Sequence, residues 1–493
     1  MSEDLERLDA RPAIRKPVVY LLLTLGIAFD LAINGQYPGA SLPLLFAAAA
    51  AALAIVVRDV ASRALLAGGV AFAIFPALRA STGLTGLDVS ATLTLFGTAV
   101  AVESLELEQL KAMSFVLAAA RLLRSSFRAP RLALLPLLPR LGFARGRGKT
   151  FTRIALITIP VLALFARLLG SADRVFADVI TPSIPGINLG SVVGHVALTV
   201  IGTVFVATLW LTAVAPRVLV GADLSPIGDA TPGRRLAEWA TLLVGLDALF
   251  GIFVAVQFAF LFDGRKRILV TPGLTYAEYA RSGFFQLLVV AVLTVALIMI
   301  VWDFAWRENP AHRRWFRAAV TPMIAFSLVI LVSALKRLRL YEQAFGFTVE
   351  RFFAYLAIAL IGVVLLIVLG AVWTGQRRRV LSAVLAASLA ALMVANLLNP
   401  ERFVARRNVG RFQATGKIDS WYLGAGLGPD AIPVATTVLI RLRATEAATL
   451  RSALCEQLPG LAPEPSWRSW NAGRDAARRA LRDAGITAER CAR

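Results

Sequence analysis

Few residues in this chain have both the type and the setting to do chemistry. Asp247 stands inside the apolar run LLVGLDALFGIF. A carboxylate at the centre of a membrane helix costs about 2.5–3.5 kcal/mol on insertion scales, so it must face the bundle interior or water. There it can bind a cation or a proton, or make a structural hydrogen bond to a Ser, Thr or Arg of another helix. Arg167 lies near the end of a different apolar run, just before SADRVFAD. It either snorkels to the interface or pairs with Asp173 or Asp178. His195 falls on the same side as those two acids, and an Asp–His pair can act as a general base. No GxSxG or comparable nucleophile motif accompanies it, and a lone His near a helix end more often makes a structural hydrogen bond.

The remaining chemistry is limited by what the chain lacks. Its two Cys, Cys455 and Cys491, and its two His, His195 and His312, cannot form a CxxC pair or an HExxH helix. No catalytic residue, cofactor or metal ligand is therefore expected. The stretch GFARGRGKT, ending at Thr150, has a Gly-Lys-Thr, but Phe143 occupies the position where a phosphate-binding loop needs glycine. It reads as a basic linker.

The elements that must position these residues are apolar runs. Hydrophobic residues make up 58% of the 493 positions and charged ones 17%, outside the soluble globular range. The net charge of +21 would suggest nucleic acid in a soluble protein. No basic patch with interleaved aromatics and no zinc-finger spacing supports that partner. Lys and Arg retained beside anionic lipid at a cytoplasmic face account for the charge.

Eleven spans are expected: 18–33, 42–57, 64–78, 87–102, 154–170, 189–213, 236–262, 284–301, 318–335, 352–374 and 380–398. The eighth carries no charge at all. Residues 1–17 form a cytoplasmic tail, and 18–102 hold the first four spans. Residues 103–150 form a basic cytoplasmic loop with interfacial amphipathic helices, among them 109–128, whose Arg residues gather toward its end. Residues 151–398 hold the other seven spans. Residues 399–493 read as a small soluble helical domain. Within it, Asp430 is expected to cap a helix over 432–458, and Gly473-Arg474 to open a second helix ending near Gly485.

The fold class is therefore all-α, a polytopic integral membrane helix bundle of about eleven transmembrane helices with a small helical C-terminal domain. Positive charge sets the N-terminus inside, and an odd count puts the C-terminal domain on the extracytoplasmic side. Two groups fit this badly, Arg265-Lys266-Arg267 and Lys336-Arg337-Arg339, because both fall outside. On that side Cys455 and Cys491 can form a disulfide. Two antiparallel helices would hold them apart unless the last residues fold back, so reduced thiols in a cytoplasmic tail remain the other reading.

Two loops are richer than connectors need to be. One runs from Thr275 to Leu288, TYAEYARSGFFQLL, and offers Tyr276, Glu278, Tyr279 and Arg281. The other, Lys336 to Phe352, offers Tyr341 and Glu342 beside its basic residues. They read as interfacial helices anchored by aromatics or as an extracytoplasmic ligand surface. Together with SADRVFAD and RNVGRFQATGKIDSWYLGAGLGPDAIP, in that chain order, the sequence resembles an uncharacterised bacterial polytopic membrane family, of the domain of unknown function 4173 type. The resemblance spans roughly Ser171 to Pro433 and implies a multi-pass inner-membrane protein with a short extracytoplasmic tail. It carries no activity, cofactor or catalytic residue.

Three function classes stay open. The first is a non-enzymatic sensor or envelope scaffold that meets an envelope protein through its outer loops and tail. The second is a secondary transporter using Asp247. The third is a membrane-embedded transferase at the outer interface, for which Asp173, Asp178, Glu278 and His195 are the available groups.

Overall fold

The computed structural model describes residues 39–56, 59–104, 147–173, 176, 232–268, 284–305, 310–461 and 467–491. Everything regular among them is helical, with no strand. The elements are α1 (Ser41–Val56), α2 (Val60–Leu78), α3 (Thr82–Ser104), α4 (Arg147–Ala172), α5 (Pro232–Ile268), α6 (Phe284–Ala305), α7 (Pro310–Phe345), α8 (Val349–Thr374) and α9 (Arg378–Leu398). After them come α10 (Pro400–Thr415), α11 (Ile432–Val438), α12 (Ala444–Glu456), α13 (Ala472–Asp483) and α14 (Ala488–Cys491).

Two compact units result, one of residues up to 113 with 392 onward, the other of residues 114–391. In the second, α4 to α8 surround a core of large side chains. Phe316 of α7 meets Trp239 of α5 edge-on and Trp302 of α6 at a tilt, each at 6.0 Å between ring centroids. Phe176 and Phe253 add a T-shaped pair at 4.9 Å. Such pairs contribute about 0.5–1.5 kcal/mol each beyond the area they bury. In the first unit, α2 and α3 pack closely enough that a side chain on Gly69 would enter the Phe96 ring.

Among the described residues, six helices are long and apolar enough to cross a membrane: α2, α7, α8 and the central parts of α5, α6 and α9. In α8 the most apolar stretch has a mean hydropathy of 3.0, yet only 22% of it is buried. Val363, Leu366 and Trp373 stand exposed on it. A helix apolar all round with so little cover fits lipid rather than water. The described residues do not confirm the expected count of about eleven. Spans 18–33 and 189–213 lie outside the described residues, and in α1 and α4 the described apolar stretches, Ser41–Ile55 and Thr158–Ala172, are shorter than a crossing.

Local rules explain where the helices stop. Asp59 caps α2 by accepting the Ser62 N–H at 3.0 Å, so this helix starts four residues before the expected span and reaches 19 residues. Charge did not end α7, which runs for 36 residues, about 54 Å at helical rise. The expected loop from Lys336 is thus the continuation of a helix. The chain reverses at Gly346, whose φ of 85° disfavours a side chain, and Thr348 then caps α8. The helix expected over 432–458 is broken into α11 and α12 by a 3₁₀ turn, Leu439–Arg441.

Candidate functional site

Two buried polar clusters stand out among the described groups, one in each unit. In the first unit, the ends of α2 and α9 and the starts of α10 and α13 meet around Asp430. Helix α2 contains Pro76 and ends at Leu78, which leaves its last carbonyls without helical partners. The Asn471 amide donates to one of these, Pro76 O at 2.9 Å, and to Arg79 O just beyond the helix at 2.7 Å, while its oxygen caps α13. Beyond the helix, Ala80 N–H donates to Asp430 Oδ2 at 3.1 Å. The Arg79 side chain reaches the Asn396 carbonyl in the last turn of α9 at 3.1 Å.

Asn399 joins α9 to α10 and is the one described non-glycine residue with positive φ, 53°. Asn is among the few residues that adopt this conformation readily. Its side chain accepts the Arg402 N–H, with Pro400 in the first helical position, and also hydrogen-bonds the Asp430 carboxylate. A Cβ on Gly473 would coincide with Asp430 Oδ1, so only glycine admits this carboxylate. Arg79, Asn399, Arg402, Asp430 and Gly473 line a cavity of about 150 Å³.

Glu401 lies beside Asp430 and accepts its backbone N–H, and its Oε2 has no partner among the described residues. Burial, and then the Asp430 charge, push the Glu401 carboxyl up from 4.5 to about 7. Asp430 is also raised by burial, against the opposing pull of the Ala80 N–H, Arg79, Asn399 and Arg402. This cluster can exchange protons and hold helix ends together. It offers no nucleophile paired with a base.

The second unit carries an ion pair. Asp173, at the end of α4, meets Arg337 of α7 at 2.6 Å, with 4% and 3% of the side chains exposed. The Gln257 amide donates to Asp173 at 2.6 Å, Ser333 donates to the Gln257 oxygen at 2.9 Å, and Phe176 N–H caps the other Asp173 oxygen. Arg337 also donates to Ala172 O at 2.7 Å. Its charge fits the inside-positive pattern badly as a loop residue, but as a buried partner of Asp173 it is neutralised.

Other expected site residues disperse. Arg167 is exposed on α4, and Asp173 pairs with Arg337. Asp247 sits half-buried on α5, and its Oδ1 has no partner among the described residues. The Tyr341 ring lies 4.1 Å from the Arg351 guanidinium, and Glu342 accepts the Tyr355 hydroxyl proton at 2.7 Å. These contacts clamp the α7–α8 turn. Asp178, His195, Tyr276, Glu278, Tyr279 and Arg281 lie outside the described residues. Cys455 and Cys491 are disulfide-bonded, with Cα atoms 5.7 Å apart, because the chain folds back at Gly485 and brings α14 to the end of α12.

Asp430 was expected to cap the following helix, but no side chain caps α11, and Asp430 instead holds the end of α2. Glu401, Asn396, Asn399 and Asp88 drew no attention as sequence. The one local signal was the Asn-Pro-Glu that follows the last span.

No curated protein and no solved structure matches the chain. A family model does match, Domain of unknown function (DUF4153), over residues 64–438. It replaces the 4173-type label, which rested on four short motifs that all lie inside the matched range. The apolar helices fit a membrane protein of unknown function, and with three quarters of its length matched the chain belongs to the DUF4153 family.

Proposed function

We propose that this protein is a multi-pass inner-membrane component of bacteria with about eleven spans, which acts without catalysis as a sensor or envelope scaffold. Its N-terminus lies in the cytoplasm, its basic loops lie against anionic lipid, and its C-terminal segment is extracytoplasmic. The observation that carries the reading is the fastening of the C-terminal segment. Asp430 and Asn471 tie it to the end of α2, so it is a fixed platform on a membrane helix. Trp421 and Ile440, 56% and 90% exposed, remain on that platform. Exposed aromatic and aliphatic anchors of this kind suit an envelope protein partner.

A photo-crosslinking residue at position 440 tests the reading in living cells. One discrete protein adduct is expected, and a crosslinker at Trp421 should trap the same protein. Adduct formation that is unspecific, or unchanged by Ile440→Asp in the neighbourhood of a crosslinker at Trp421, would contradict it.

A secondary transporter using Asp247 is the second reading, favoured by the unpartnered Oδ1 of that half-buried carboxylate. Proton-coupled uptake in proteoliposomes that survives Asp247→Asn would remove it. The transferase reading loses support, since Asp173 is held by Arg337.

A further inference from the structure

Asp88 is a fully buried carboxylate in the first turns of α3, and Asn396 is a fully buried amide in the last turns of α9. Asn396 Nδ2 donates to Asp88 Oδ1 at 2.6 Å and to Leu392 O at 3.1 Å, which uses both amide hydrogens. Two oxygens are left over, Asp88 Oδ2 and Asn396 Oδ1, and neither has a partner among the described residues. They are the second acceptors of the same pair.

The neighbouring donors are already committed. Thr92, one turn beyond Asp88 on the same helix, donates to the Asp88 and Gly69 carbonyls at 2.8 and 3.0 Å. Arg79, the charged group tied to this turn of α9, holds the Asn396 backbone carbonyl rather than its side chain. Among the described residues, an ionised Asp88 would therefore be a buried charge without a counter-ion, beside an amide oxygen without a donor.

We infer that Asp88 and Asn396 form a proton-binding site. One proton, taken from water onto Asp88 Oδ2, is donated to Asn396 Oδ1. Acid and amide then share two parallel hydrogen bonds, the charge is gone, and both leftover oxygens are satisfied. Only an O–H bond forms, and the proton returns to water when the site opens. A metal cation suits the place less, since it would need several further oxygens. Asn396 lies one turn before Asn399, so gain or loss of this proton acts on the turn that leads into the Asp430 cluster. The inference stands on this geometry and does not depend on the scaffold reading.

Infrared difference spectroscopy of the full chain in nanodiscs tests it. At neutral pH the wild type should show the C=O stretch of a protonated carboxyl, absent in Asp88→Asn and moved to higher frequency in Asn396→Leu, where the acid loses its partner. Asp88→Asn should also unfold at the wild-type temperature, because its N–H stands where the O–H stood, whereas Asp88→Leu should unfold earlier. A wild-type spectrum without a band that Asp88→Asn removes would overturn the inference. So would a band that emerges only when sodium and potassium are withdrawn, or an Asp88→Asn chain that fails to fold.

Discussion

The two buried clusters differ in how their acids are satisfied. Around Asp173 one carboxylate meets one guanidinium, a side-chain amide and a backbone N–H. The first unit instead gathers three acids, Asp88, Glu401 and Asp430, and leaves oxygens of two of them without partners among the described residues. A balanced pair locks a helix crossing. Spare acceptors leave the first unit open to adjustment by protons, and Glu401 with Asp430 lies where the C-terminal segment is fastened.

That contrast is sharpest under mutation. Arg337→Ala should destabilise its unit most, by about 3–5 kcal/mol, because it strands a buried carboxylate. Replacing both partners, Arg337→Met with Asp173→Asn, should cost much less, and denaturant unfolding in detergent distinguishes the two. The first unit has a covalent brace. Cys455 and Cys491 are 36 residues apart, and opening a loop of that size should cost about 3–4 kcal/mol. Cys455→Ala with Cys491→Ala should therefore speed proteolysis between α12 and α14 while leaving α4 to α8 protected.

Gly473→Ala should cost about 1–3 kcal/mol, since its methyl displaces Asp430, and protease should then reach the C-terminal segment sooner. The smallest effect is one of pH. Glu401 has a folded-state value of about 7 against an ordinary 4.5, so the folded chain binds more protons than the unfolded one between those values. Its docking is then firmest at the acid end and weakens as pH rises from 4.5 through about 7. Glu401→Gln should flatten that slope in hydrogen exchange of α10, leaving the smaller part due to Asp430.

Most of the helical framework was legible because apolar runs declare it. The charge-free run at 284–301 became α6, and the run at 380–398 became α9 almost unchanged. Errors arose where charge was taken for a helix end, as at Lys336, although α7 continues through it and buries Arg337. The site was hidden for a different reason. Asp430 and Ala80 are 350 residues apart and Asn396 and Asp88 are 308 apart, and no local pattern writes such a pairing. Asp88 also sat beside Leu87, where the fourth span was expected to begin, and so passed as a boundary charge rather than a buried one.

The central claim is that the C-terminal segment is fastened to the end of α2. Both described cysteines are bonded to each other, so spin labels can be placed at Thr82→Cys and Arg482→Cys, both exposed sites in the first unit. Pulsed electron–electron distance measurement in nanodiscs should give one narrow distribution, broadened by Asp430→Ala together with Asn471→Ala. A broad distribution in the otherwise unaltered chain, with the disulfide intact, would contradict the account.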